Sequence, residues 1–251
     1  MNTQLNNELT GKRAFVTGGG RGIGAAVARR LATAGADVAL TYRSDDESAA
    51  SVVKEIEAAG RLAKAVKVDN ADTDALVAAV NGVAEEFGGL DVLVNNAAMF
   101  PTGPLDQVEL GEFDAVMAAN VRAPFAASVA ASAHMGDGGR IISIGSNVAV
   151  RAPFAGLGLY TLSKTALLGL TAGLARDLGP RGITVNLVNP GPTDTDLNPA
   201  DGPMGDAIRA HTALGRFAQP EDIAGMVAYL AGPAAAYVTG ASILVDGGFS
   251  I

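Results

Sequence analysis

Tyr160 and Lys164 stand four residues apart at the head of the apolar run "YTLSKTALLGLTAGLARDLG". Four residues is about one helical turn, so both side chains leave the same helix face. A phenol with a pKa of about 10 exchanges its proton poorly near neutrality. A neighbouring ammonium favours the phenolate and lowers that value. The pair therefore suits general acid–base work, giving a proton to a carbonyl oxygen during reduction or taking it back during oxidation. Ser146 ends the strand-like run before this helix, where its hydroxyl can hold a substrate oxygen and stabilise developing charge. Ser143 competes with it, but lies an odd number of strand residues away and faces the opposite side of a regular strand. Asn120 lies in "FDAVMAANVRAPFAAS", four residues before Pro124. Proline has no N–H, so the Asn120 carbonyl loses its helical partner, and a kink there leaves it open to water. Taken singly, each residue has a plainer reading: tyrosine at a core edge, lysine in solvent, serine in a turn, asparagine as a cap.

These side chains need elements to hold them. Short β-branched runs at 13–18, 37–42, 64–69, 91–96, 140–145, 183–189 and 242–247 read as strands. Alanine-rich helical patterns lie near 22–34, 46–59, 72–87, 111–134, 160–179 and 220–231. Strands apolar on both faces and separated by helices predict a parallel sheet covered on both sides. No repeat and no Pro-, Ser- or charge-rich linker divides the chain. The expectation is a single doubly wound α/β domain over residues 1–251, with a seven-stranded, mostly parallel sheet. The connection 190–212 carries four prolines and three glycines, reads as irregular, and is expected to act as a lid over substrate.

Composition narrows the function classes. The 251 residues contain no cysteine, which excludes disulfides and thiol catalysis and suits the reducing cytoplasm. His134 and His211 lie far apart without carboxylates at ligand spacing, so no metal is expected. A net charge of -8 with scattered basic residues argues against nucleic acid. No run approaches the length of a membrane span. The start "MNTQLNNELTGK" lacks a basic stretch followed by an apolar one, so no signal peptide is expected.

After the first strand comes "TGGGRGIGAAVARRLATAGA". A glycine-rich turn between strand and helix lets backbone N–H groups reach a pyrophosphate at the positive helix end. Gly18 allows the tight turn, Gly22 the close approach and Gly24 the packing of helix on strand, with Arg21 and Ile23 between them. In dinucleotide folds an acidic residue about 20 positions further on binds the ribose 2′-OH. Here Tyr42 stands where the acid would sit, and Arg43 follows. The missing carboxylate removes repulsion of a 2′-phosphate, and Arg43 offers it a fork of donors, with Arg21 approaching from the turn. NADP(H) is therefore expected over NAD(H), although Asp45, Asp46 and Glu47 weaken the local field.

"TGGGRGIG", then "NNAA" at 95–98, Asn120, Ser146, "YTLSK" and "NPGPTDT" at 189–195 occur in an order that resembles the short-chain dehydrogenase/reductase family. The resemblance runs from about residue 10 to "VDGG" at 245–248, and implies a Rossmann-type fold and the same choice of NADP(H). It further implies that Lys164 holds the nicotinamide ribose and that Asn120 binds a water linking that lysine to solvent. Asp69 and Asn70 resemble the family's adenine contact, although a helix cap is an equal reading. Asn95 is expected to tie the central strands and border the cofactor. Pro190, Gly191, Thr193 and Thr195 are expected beside the nicotinamide carboxamide. Ser146 lies fourteen residues before Tyr160, one more than the commonest family spacing, and Ala98 replaces the usual glycine. In this family an apolar tail such as "YVTGASILVDGGFSI" packs between subunits, so Phe249 and Ile251 are expected in the interface of a dimer or tetramer. The reading is an NADPH-dependent carbonyl reductase acting on a small ketone or its alcohol. The alternatives are a 3-oxoacyl-carrier-protein reductase, an alcohol or sugar dehydrogenase, and a non-catalytic dinucleotide sensor.

Overall fold

Alternation along each strand sends successive side chains to opposite faces of the sheet, and here both faces are apolar. The structure, a computed structural model, describes residues 8–251; residues 1–7, part of the start read for a leader, lie outside the described residues. Seven strands are present: β1 (Arg13–Val16), β2 (Asp37–Tyr42), β3 (Ala63–Lys67), β4 (Val92–Asn95), β5 (Arg140–Ile144), β6 (Thr184–Pro190) and β7 (Ser242–Val245). They form one sheet in the order β3-β2-β1-β4-β5-β6-β7. Every pairing is parallel, so the sheet is wholly rather than mostly parallel.

Val16, Leu40, Val94 and Ile142 bury against α1 (Gly22–Thr33), α2 (Asp46–Ala58) and α8 (Pro220–Ala231). Their neighbours Phe15, Ala39, Leu93 and Ile141 bury on the other face, with α3 (Thr73–Phe87), α5 (Ala123–His134) and α6 (Gly158–Leu178). This is the doubly wound Rossmann-type architecture. Strand order reverses between β1 and β4, so a crevice opens outside their carboxyl ends.

Two expectations differ from what forms. The helix read over 111–134 is α4 (Leu110–Met117) and α5 joined by a π turn, Ala118–Arg122. The Ala123 N–H bonds back to the Ala118 carbonyl, five residues away. Pro124 provides no donor, and the chain accommodates that with a widened turn rather than a sharp kink. The connection read as irregular over 190–212 contains the short helix α7 (Gly205–His211). A Cβ at Gly205 would collide with the Ala200 carbonyl, which also accepts from Arg209 Nη1 at 2.7 Å. Seven residues bracketed by prolines and glycines are too few to show helical periodicity.

Candidate functional site

The glycine turn is held from both flanks. Gly18 and Gly22 have φ of +64° and +53°, where side chains are strained. A Cβ on Gly24 would collide with the Gly18 carbonyl, so only glycine lets α1 begin this close to the turn. The Gly18 N–H donates to Thr41 Oγ1 at 3.0 Å, and Gly19 N–H to the Thr41 carbonyl at 2.8 Å. From the β4 side, Asn96 Nδ2 donates to the carbonyls of Thr17 (2.9 Å) and Gly18 (3.1 Å). Asn95 points the other way, donating to Ser128 Oγ at 3.1 Å and Ser143 Oγ at 3.3 Å. It ties β4 to α5 and β5, while the neighbour at Asn96 borders the turn. Ile23 packs on the core behind the turn.

The loop after β6 closes the other side. A Cβ at Gly22 would lie 3.5 Å from Thr195 Cγ2. Thr195 and Asn198 bridge backbone to backbone, and the buried Thr193 donates its hydroxyl to the Gly191 carbonyl at 3.0 Å. Pro190 ends β6 against Val245, and Gly191 is packed so that a Cβ would sit 2.6 Å from Asp246 Cα.

At the end of β2, two of the nearby acids, Asp45 and Asp46, are already engaged. Asp46 accepts from the Tyr42 hydroxyl at 2.8 Å and from Lys67 Nζ at 3.0 Å, which hold its carboxyl below the usual range. Asp45 caps α2 through Ser48, and that hydrogen bond lowers it, with a smaller contribution from Arg21. Arg43 is exposed and makes no hydrogen bond or ion pair among the described residues. Lys67, at the end of β3, adds a cation that the β2 reading missed. Its signal was the parallel neighbour strand, since β2 pairs Tyr42 with Lys67.

Asp69 accepts from the Ala71 N–H at 2.9 Å, and the cap of α3 is instead Asp72. Asn70 Nδ2 donates to the Ala119 carbonyl at 2.7 Å, leaving its buried Oδ1 without a partner.

Tyr160, Ser163 and Lys164 share one face of α6 at i, i+3 and i+4. Lys164 is 3% exposed and donates to the Ile144 carbonyl, at the end of β5, at 2.8 Å. Its nitrogen lies 5.7 Å from the centre of the Tyr160 ring. Burial pushes the ammonium down to about 8. Burial likewise pushes the Tyr160 phenol up to about 12, against a smaller pull downward from Ser146. The expected lowering of Tyr160 by Lys164 therefore does not occur. Desolvation outweighs it, and the ammonium is directed at a backbone carbonyl instead. Ser146 is buried; its Oγ accepts from the Val148 N–H at 3.3 Å and its N–H donates to Asn189 Oδ1 at 3.2 Å.

Asn120 sits in the π turn and clamps Met99 by both backbone groups, accepting at 2.7 Å and donating at 2.9 Å. It also donates to Ser163 Oγ at 3.0 Å, which in turn donates to the Tyr160 carbonyl at 2.8 Å. The residue after Met99, Phe100, meets the Tyr160 ring edge to face at 4.7 Å and 83°. Sequence reading missed Ser163 and Phe100; Ser163 was available from its place in "YTLSK", Phe100 from nothing local. In the tail, Phe249 is 5% exposed and packs against Phe154 and His211 of its own chain rather than standing open as its sequence position suggested. Ile251 is exposed.

These features fit a dinucleotide. A glycine cradle without side chains, an orphaned amide oxygen on Asn70, an arginine without a partner among the described residues, and the tyrosine and lysine all follow the carboxyl ends of strands. Among the described residues no cluster of His, Cys, Asp or Glu could hold a metal. A family profile described as Enoyl-(Acyl carrier protein) reductase matches residues 18–250. A short chain dehydrogenase from Burkholderia cenocepacia J2315, solved in complex with NADP, superposes with a TM-score of 0.96 at 55% identity, covering 98% of this chain and all of that one. The chain belongs to the short-chain dehydrogenase/reductase family. This short-chain dehydrogenase/reductase is also 47% identical over 241 residues to the cyclic-di-GMP-binding biofilm dispersal mediator protein of Escherichia coli (strain K12), covering 96% of this chain and 98% of that one. It is 39% identical over 241 residues to the 3-oxoacyl-[acyl-carrier-protein] reductase FabG of Staphylococcus aureus (strain N315), covering 94% and 97%. Among the described residues no helix is long and apolar enough to cross a membrane.

Proposed function

We propose that this oxidoreductase is an NADPH-dependent ketone reductase that interconverts a small ketone and its secondary alcohol. The observation that carries the proposal is the buried Lys164 beside Tyr160, with Ser146 acting on the same phenol, at the end of β5. When bound, the nicotinamide supplies the hydride. Ser146 orients the ketone oxygen and shares the charge that builds there. Tyr160 then gives its proton to that oxygen. At about 12 the phenol is fully protonated in neutral solution, yet remains a far stronger acid than an alcohol. Lys164, lowered to about 8, is in turn a better proton source than an ordinary ammonium and can restore the tyrosine. Asn120 fixes the segment before Phe100 and, through Ser163, the first turn of α6. The Arg43 guanidinium and the missing acid at Tyr42 support NADPH as the cofactor, as does the NADP bound by the Burkholderia relative.

The test is steady-state oxidation of NADPH with a panel of ketones, with the alcohol identified as product. NADPH binding without any turnover would instead favour a sensor. A carrier-protein reductase is the second reading, supported by exposed Arg122 and Arg151 and by the Staphylococcus relative. Faster turnover of a carrier-bound thioester than of any free ketone would select it.

A further inference from the structure

We infer that Phe100 is a specificity-determining residue that selects flat, aryl-bearing ketones; this rests on the ketone-reductase reading above. Phe100 is 45% exposed although it touches the proposed proton donor. An aromatic left half open at that point costs solvation of apolar surface unless something apolar covers it. Its position is tightly set. Asn120 holds Met99 by both backbone groups, and four residues after Met99 the Gly103 N–H donates to the Gly156 carbonyl at 3.0 Å. That second bond joins the Phe100 loop to the segment between Ser146 and Tyr160. A Cβ at Gly156 would sit 3.4 Å from the Gly103 carbonyl, so the two segments meet backbone to backbone.

With the backbone held at Met99 and at Gly103, the Phe100 ring stands edge to face with Tyr160, beside the atom that delivers the proton. The joined segment carries two further exposed apolar side chains, Val150 and Phe154. Arg151, the charge between them, donates to the Ile251 carbonyl at 3.1 Å. An aryl ring beside the carbonyl gains ring–ring contact with Phe100 that a saturated ring of similar size does not.

The test compares acetophenone with cyclohexyl methyl ketone, matched in size but not in flatness, for the wild type, Phe100→Leu and Phe100→Tyr. The inference expects Phe100→Leu to lower the aryl-to-cyclohexyl ratio of kcat/KM about fivefold, mainly through KM for the aryl ketone, and Phe100→Tyr to restore it. A ratio unchanged by Phe100→Leu would overturn it. A second readout is independent of turnover: binding of 1-phenylethanol and 1-cyclohexylethanol to the NADPH-loaded protein, a pair that cannot react, followed by ligand-observed NMR. Loss of phenylethanol preference in Phe100→Leu supports the inference even if neither ketone is reduced, a result that would sink only the reductase reading. Equal binding of both alcohols to the wild type would sink the inference while leaving reductase activity standing.

Discussion

Removing the Tyr160 hydroxyl while keeping its ring separates proton transfer from the packing of the ring. The ring still packs on Phe100, so Tyr160→Phe should bind NADPH with near wild-type affinity by fluorescence titration. Turnover should fall by roughly 10²- to 10⁴-fold, the usual worth of a positioned acid. Turnover within tenfold of wild type would rule out the acid role. At the end of β2, Asp46 is paired with Lys67 and accepts from the Tyr42 hydroxyl, and Arg43 is the residue proposed to read the phosphate. Arg43→Asp restores a carboxylate one residue after the position where NAD-binding folds place theirs. It should lower kcat/KM for NADPH by more than tenfold relative to NADH, since a charge-assisted phosphate contact is replaced by repulsion. An unaltered cofactor ratio would exclude Arg43 from reading the phosphate. At this scale the residue types and spacings were readable in the chain, because helix periodicity alone aligns Tyr160 with Lys164. The direction of the Tyr160 shift was not, because desolvation depends on what packs around the phenol.

Among the elements, the turn between β1 and α1 is the least tolerant. Gly24→Ala puts a methyl into the Gly18 carbonyl and beside Asn96 Nδ2, both of which hold the turn. Overpacking of this kind costs about 1–3 kcal/mol. The variant should unfold at lower urea and lose NADPH affinity together; unchanged stability and affinity would show that α1 can move away from the turn. Strand positions were readable to within one or two residues at most ends because β-branched runs report burial on both faces. The break at Ala118–Arg122 was readable as a consequence of Pro124, but its form as a π turn was not, since a kink and a widened turn answer the same missing donor. Asn95 and Asn96 show the same limit. Alternation places them on opposite sides, but only neighbouring β1 and β5 decide which side holds the glycine turn.

For the whole molecule, the buried Lys164 makes stability depend on pH. Its folded value of about 8 lies below the ordinary 10.5, so the unfolded chain binds more protons between these values. Stability contributed by this group therefore rises with pH across that window, and its full cost applies below about 8. The shift corresponds to on the order of 3 kcal/mol at pH 7, less the value of the Ile144 hydrogen bond. Lys164→Met should thus be more stable than wild type to urea at pH 7, with the advantage shrinking by roughly half by pH 9.5, and should lack turnover. Equal destabilisation at both pH values would contradict this account. Tyr160 works in the opposite sense, its raised value removing stability only as pH climbs from about 10 towards 12. Read along the chain, short-range physics determined the glycine turn, the strand and helix periods, and the single helical face of Tyr160 and Lys164. Folding decided which asparagine reaches the turn, which way the phenol titrates, and that Phe100 meets Tyr160 across sixty positions of sequence. Local spacing sets which side chains leave an element together, whereas desolvation and contact between distant segments exist only once the sheet has brought its strand ends to one crevice.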